Sequence, residues 1–161
     1  CIASFREIEV FDIRPLCSMI SNISFKQLDI TQPNSFNCDY CDSISCLHAL
    51  EHFGLGRYGD TIDVDGHIKG IDSISKILKS GGIFYLSVPI SYRQRIEFNA
   101  HRIFNIPYIL ALTKPSFSLQ SFSYIDDDGC FHEDIDIESL AEQNSFGCNY
   151  GCGIFILKKI I

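Results

Sequence analysis

The sequence predicts a single α/β domain spanning residues 1–161, built on an open, mostly parallel sheet with helices on both faces. Three observations carry that expectation. Two short apolar runs, IEVFDI at residues 8–13 and ISFKQLDI at residues 23–30, each close on an acid, Asp12 or Asp29, as strands do where an α/β enzyme presents its chemistry. A segment with helical period, residues 67–78, leads through Gly81-Gly82 into the most continuously apolar run of the chain, IFYLSV at residues 83–88. Finally, 161 residues that are 46% hydrophobic suffice for one core, whereas two domains of half that size would each be marginal.

Each element follows from local chemistry. The run at 8–13 stops at Arg14-Pro15, because proline has no N–H to offer a ladder. The run at 23–30 alternates apolar and polar residues and gives way to Thr31-Gln-Pro-Asn-Ser35, a turn composition. Residues 42–47 form a weaker third strand. The stretch from Glu51 to His67 holds Gly54, Gly56, Gly59 and Gly66 among alternating charges, and long connections of that kind in compact domains are usually functional. Ile68, Ile71, Ile74, Ile77 and Leu78 recur at helical spacing, and Gly81-Gly82 is expected to end that helix. Residues 83–88 read as a strand buried on both faces, 92–102 as a polar segment and 103–112 as a helix despite Pro107. Residues 116–124 and 153–157 read as strands flanking a turn at 126–129, and these last two strands are free to run antiparallel.

A formal charge of −7 leaves no basic footprint, which sets nucleic acid and anionic membrane surfaces aside as partners. No run of about 18 apolar residues is present, so no transmembrane helix is expected. The N-terminal string CIASFREIEVFDIRP lacks the basic-then-apolar pattern of a secretory signal, and the cytoplasm is the expected compartment. The chain holds 8 cysteines. Cys38-Asp-Tyr-Cys41 and Cys148-Asn-Tyr-Gly-Cys152 resemble two halves of a zinc site, yet the second pair has unsuitable spacing in an apolar, Gly-rich stretch. Free thiols are the better reading, and no metal is expected.

The order of the pieces resembles a class I S-adenosylmethionine-dependent methyltransferase. An acid closes one strand (Asp12), another follows the next (Asp29), a third strand leads into His48-Ala-Leu-Glu-His52, and Leu78-Lys-Ser-Gly-Gly82 precedes Phe84-Tyr-Leu-Ser-Val-Pro89. The strings LEHFGLGRYGD and RIEFNAHRIF are similar to a narrower methyltransferase-like group, the DUF268 family, and that resemblance covers nearly the whole chain. It implies a Rossmann-like sheet with S-adenosylmethionine as cofactor. One departure stands out. In class I methyltransferases the first strand ends in a Gly-rich loop that lets the backbone approach the cofactor, and no G-x-G precedes Asp12. That first strand is therefore expected to be missing, through truncation or loss, and the unfilled sheet position points to a homodimer.

By resemblance, Asp12 would accept hydrogen bonds from the cofactor ribose, Asp29 would contact the adenine amino group, and His48 would line the cofactor cleft. The plain alternatives are a turn acid paired with Arg14 and a turn-initiating acid before Pro33. His48, Glu51 and His52 cluster after the third strand. His48 and His52 lie at i,i+4, which invites a metal, but a third ligand is lacking. A histidine beside a carboxylate suits the general base of a hydroxyl acceptor, and His52 or Glu51 is preferred over His48. Arg57, Tyr58 and Asp60 sit in the glycine-punctuated loop as acceptor contacts. Arg93, Arg95, Glu97, Asn99, His101 and Arg102 overhang the same crevice, where guanidinium forks suit an anionic or sugar-phosphate ligand. Their plain alternative is a charged surface with pairs such as Arg95 with Glu97. His101 is the second candidate base. The string DVDG lacks the further acids of a calcium loop, and no G-x-S-x-G elbow supports a hydrolase. The functional expectation is methyl transfer to an oxygen or nitrogen of a small polar or sugar-type acceptor. The alternative is a non-catalytic remnant of the same fold, acting as a binding or scaffold domain.

Overall fold

The computed structural model describes residues 2–32, 37–137 and 140–160. Strands β1 (Ile8–Asp12) and β2 (Ile23–Gln27) form a two-stranded parallel sheet, with Ile8 opposite Ile23 and Asp12 opposite Gln27. Strand β3 (Cys41–Leu47) is followed by helix α1 (Gly66–Ile77), strand β4 (Leu78–Ile90), a hairpin of β5 (Arg95–Glu97) and β6 (His101–Ile103), and helix α2 (Ile106–Thr113). Strands β7 (Phe117–Ile125), β8 (Phe131–His132) and β9 (Gly151–Lys159) complete a five-stranded sheet of order β3-β4-β9-β7-β8. β3 and β4 are parallel, and β9 inserts antiparallel between β4 and β7, so β3, β4 and β7 all point the same way. The segments after β3 and β4 leave the carboxyl ends of these parallel strands.

The core forms where β4 and β9 pair. Phe84 faces Leu157 and Leu86 faces Phe155 across the ladder, and the Phe155 ring lies 4.8 Å from that of Phe122 on β7. Ile71 and Ile74 of α1 and Ile106 and Ile109 of α2 enter the same cluster, as helical spacing predicts. Pro107 does no harm to α2, because it occupies the first turn, where its missing N–H costs nothing; Asn105 caps that turn by accepting from the Tyr108 N–H at 2.8 Å. The helix starts later than expected because residues 101–103 pair with β5 instead.

Several boundaries differ from expectation. Helix α1 ends at Ile77, and the glycine pair lies inside β4 rather than after the helix. Between Cys41 opposite Leu78 and Ser43 opposite Ile83, the ladder skips a bulge, and Gly81 takes the left-handed φ of 75° that such a bulge needs. β4 is fully buried only toward its carboxyl end: Leu86 to Ile90 are all inside, but Tyr85 is 41% exposed. The short β8 has no periodicity to announce it and exists through pairing of His132 with Tyr124, whose rings stack at 4.4 Å. Of the turn expected over Thr31 to Ser35, residues 33–35 lie outside the described residues. Among the described residues, no helix is long and apolar enough to cross a membrane.

The two cysteine pairs sit at opposite ends of β4, since Cys41 pairs with Leu78 and Cys152 with Pro89. They cannot share an ion. The outer edge of β3 has no strand partner among the described residues, and β1 is tied to it through Tyr40, whose hydroxyl donates to Glu9 at 2.9 Å.

His67 couples the two helices. It is 7% exposed, its Nε2 lies 2.6 Å from the Tyr108 hydroxyl, and its Nδ1 is buried without a partner. Burial, reinforced by the nearby Arg102 charge, depresses its pKa from 6.5 to about 4. The unfolded chain therefore takes up this proton first, and stability drains away as the pH falls from 6.5 toward 4, by on the order of 3 kcal/mol. Urea midpoints measured at neutral pH and at the acid end of that window should fall less steeply for His67→Phe than for the wild type.

Candidate functional site

The site is built where β3 and β4 end. After Leu47 the chain turns at His48, a non-glycine residue in the left-handed region at φ 49°, held there by its N–H donating to the Ser87 carbonyl at 3.0 Å. A single 3-10 turn, Leu50–His52, then drops Leu50 and Glu51 inward, to 0% and 2% exposure. Glu51 is thereby a buried carboxylate between two imidazoles, with Oε1 3.3 Å from His48 Nδ1 and 3.9 Å from His52 Nε2. Its Oε2 is buried without a hydrogen-bond partner. Burial pushes the Glu51 pKa up, against the downward pull of the two histidines.

His52 has a defined tautomer. Its Nδ1 lies 2.7 Å from the Ala100 carbonyl, which can only accept, so Nδ1 carries a proton and the neutral ring has its lone pair on Nε2. The ring meets Tyr58 edge-on at 5.3 Å and His101 at 6.2 Å. His101 Nε2 in turn lies 3.3 Å from the Tyr150 hydroxyl and 3.7 Å from Glu97 Oε2. Arg95 donates to Glu97 at 3.0 Å, to the Ser91 hydroxyl at 3.1 Å and to the Asn149 carbonyl at 3.3 Å. The two polar segments that the sequence sets far apart do meet, and His52 with His101 marks the seam.

Two residues expected on the acceptor side are instead spent on the scaffold. Asp60 accepts from the backbone N–H groups of Gly54 (3.0 Å), Gly56 (3.1 Å) and Tyr58 (3.2 Å), so its carboxylate folds the loop rather than facing a ligand. Arg102 is 4% exposed and donates to the Phe53 carbonyl at 2.5 Å and the Val64 carbonyl at 3.2 Å, one acceptor from each end of the loop. Tight packing enforces the same closure. A Cβ on Gly54, at φ 74°, would lie 2.1 Å from the Asp63 carbonyl oxygen, and one on Gly66 would strike the Gly54 backbone at 2.8 Å. Arg57 is exposed, with its guanidinium 5.6 Å from the Tyr58 ring, and Asn99 is exposed at the turn of the β5–β6 hairpin.

On the other side of the loop, Asp12 ends β1 and both its oxygens are taken by Arg14, at 3.1 Å from Nε and 3.0 Å from Nη2. This pairing holds the Asp12 carboxyl below its usual pKa. The Arg14 guanidinium also stacks over Tyr58, 4.3 Å from the ring centre, which joins the end of β1 to the glycine loop. Asp29 holds its own turn, accepting from the Thr31 N–H (2.9 Å), the Thr31 hydroxyl (2.7 Å) and Gln32 (3.3 Å).

The family model described as "Caenorhabditis protein of unknown function, DUF268" matches residues 8–160. The chain belongs to the DUF268 family. No curated protein matches it. Among solved structures, this DUF268 domain is similar to 1,6-didemethyltoxoflavin-N1-methyltransferase of Burkholderia thailandensis, with bound 1,6-didemethyltoxoflavin and S-adenosylhomocysteine, at TM-score 0.65 and 13% identity, covering 95% of this chain and 61% of that one. It is similar to the N-methyltransferase NodS of Bradyrhizobium japonicum with S-adenosylhomocysteine, at TM-score 0.60 and 15% identity, covering 95% of this chain and 66% of that one. It is also similar to the 4+2 cyclase SpnF, at TM-score 0.59 and 11% identity, covering 87% of this chain and 58% of that one. The fold is thus methyltransferase-like, in a chain that spans about three fifths of the length of those structures.

Sequence reasoning passed over Tyr150, Ser91 and the Ala100 and Asn149 carbonyls, and it gave Cys152 no role beside His48, although Cys152 Sγ lies 3.2 Å from His48 Nε2. The CNYGC string was visible in the DUF268 sequence. What brings it to the site is the antiparallel β9, whose first residues lie beside the last of β4. Arg102→Lys tests the scaffold role, because an ammonium cannot serve both carbonyls as a fork does: a loss of about 3 kcal/mol in urea unfolding and faster amide exchange across residues 53–64 are expected. Exposed Arg57→Lys should stay within about 0.5 kcal/mol of the wild type.

Proposed function

We propose that this DUF268 domain binds S-adenosylmethionine and transfers its methyl group to an oxygen or nitrogen of a small polar acceptor. The observation that carries the reading is His52, whose Nδ1 is committed to the Ala100 carbonyl at 2.7 Å, whose Nε2 stands 3.9 Å from the Glu51 carboxylate, and whose ring lies edge-on 6.2 Å from His101. The cofactor supplies an activated methyl group on a sulfonium. The domain's own task is to align the acceptor and take its proton, His52 acting as base, with buried Glu51 favouring the imidazolium that results and His101 as the alternative base. His101, Arg95, Tyr58 and Arg57 line the acceptor side, and the arginines favour an anionic or sugar-like group.

The cofactor side fits a ribose. Asp12 receives two donors side by side from Arg14, at 3.1 and 3.0 Å, and a vicinal diol presents the same pair of donors to a carboxylate. Arg14 is the residue that must yield its place. Asp29 and His48 complete the cofactor side by resemblance. NodS and the toxoflavin enzyme, both solved with S-adenosylhomocysteine, support the choice of cofactor.

The Arg14 pairing also favours a second reading, in which Asp12 is permanently satisfied within the chain and the domain is a binding or scaffold remnant. Calorimetric titration separates them. S-adenosylmethionine and S-adenosylhomocysteine should both bind and raise the melting temperature, with Asp12→Ala weakening binding about tenfold. Neither heat nor thermal shift at millimolar ligand would leave only the scaffold reading.

A second copy of this chain is the proposed partner for the outer edge of β3, beside which Leu47 is 60% exposed. Light scattering should return twice the chain mass, and a clean monomer refutes the dimer.

A further inference from the structure

Glu51 also reaches, through His48, a thiol that has no part in the proposed methyl transfer. Cys152 Sγ lies 3.2 Å from His48 Nε2, and His48 Nδ1 lies 3.3 Å from Glu51 Oε1. A single tautomer satisfies both contacts: the thiol donates to Nε2 while Nδ1–H donates to the carboxylate. A nucleophile, a base and a buried orienting acid thus stand in line, the arrangement by which a weak nucleophile is activated. Three further observations set the cluster apart from an ordinary core thiol. Glu51 is 2% exposed, and its Oε2 is buried with no partner. His48 is held at a left-handed φ of 49°, the kind of backbone cost that persists where the surroundings fix a side chain in place. His48 itself is exposed and Cys152 half-buried, so a small molecule can reach the sulfur from the solvent side.

We propose that Cys152, His48 and Glu51 form a nucleophilic thiol site that takes a small carbon electrophile, as a function separate from methyl transfer. Burial and the Glu51 charge hold the thiol protonated at rest. Attack therefore runs with proton transfer: the S–C bond forms as the bond from carbon to its leaving group breaks, the leaving group departs with the electron pair, and the thiol proton passes to His48 Nε2. Glu51 stabilises the imidazolium and is a positioning residue. His48 Nδ1–H keeps its place against Oε1 throughout.

Iodoacetamide labelling of the whole chain, followed thiol by thiol by mass spectrometry at neutral pH, tests this with internal references, because Cys17, Cys38 and Cys130 are exposed free thiols. Burial alone makes Cys152 the slowest of the four. The assisted mechanism makes it at least as fast as the references, and His48→Asn, which tolerates the left-handed backbone but offers no base, should lower its rate relative to them about tenfold. Glu51→Gln should lower that relative rate in the same direction. A wild-type Cys152 slower than all three references overturns the proposal, and so does a relative rate unchanged in a folded His48→Asn or Glu51→Gln protein. The outcome is independent of cofactor titration, since labelling needs no S-adenosylmethionine.

Discussion

A buried guanidinium must be given acceptors, and at Arg102 that requirement organises the whole functional end of the molecule. Desolvation of the charge is tolerable only because the fork reaches the carbonyls of Phe53 and Val64, at 2.5 and 3.2 Å. Those two atoms belong to the two ends of the glycine-rich loop, so satisfying the charge closes the loop into a ring. Arg102 itself rides on β6, so the same bonds clamp the β5–β6 hairpin against the loop and bring Ala100 to His52. Asp60 performs the matching task for the loop's orphan N–H groups, and the Gly54–Gly66 contact leaves no room for a looser closure.

With the hairpin clamped, the chemistry of the site follows from where Glu51 ends up. One 3-10 turn carries its carboxylate out of water, and a buried carboxylate retains its charge only beside cations or donors. His48 and His52 flank it on either side, and each imidazole is held by its second nitrogen, one by a backbone carbonyl and the other by a thiol. A single acid therefore serves two bases that face different surroundings. His52 meets the rings of Tyr58 and His101 edge-on. His48 opens toward Cys152 at the start of β9.

The neighbours share the fold at 11 to 15% identity, and they include two methyltransferases and a cyclase. A fold of this kind presents loops at the carboxyl ends of its strands and leaves the reaction to the side chains placed there. In this chain Asp12 pairs with Arg14, and that arginine stacks on Tyr58. Arg14 occupies both Asp12 oxygens and lies over the Tyr58 ring of the glycine-rich loop. The end of β1 and the glycine-rich loop are thereby joined through one aromatic ring.

Much of this was legible in the residues alone. Apolar runs for β1 and β4, alternation for β2, a weaker run for β3 and a period of three to four for α1 announced these elements, because burial writes itself into local composition and spacing. The strand-end acids and the string His48 to His52 marked the functional end for the same reason: polar groups clustered where apolar runs stop. The roles of Asp60 and Arg102 were not legible, because a charge that faces solvent and a charge that faces backbone carbonyls have the same sequence, and only closure of the loop distinguishes them. Gly81-Gly82 misled in a similar way, since a glycine that ends a helix and one that allows a bulge need the same positive φ. Local chemistry in the sequence thus marked β1 to β4, β7, β9 and the two helices, and the polar strings between them. The order of the strands was decided by tertiary packing, above all the insertion of β9 between β4 and β7. That insertion brings Cys152 to His48 and Tyr150 to His101, contacts between residues about a hundred and about fifty positions apart, which no local pattern encodes.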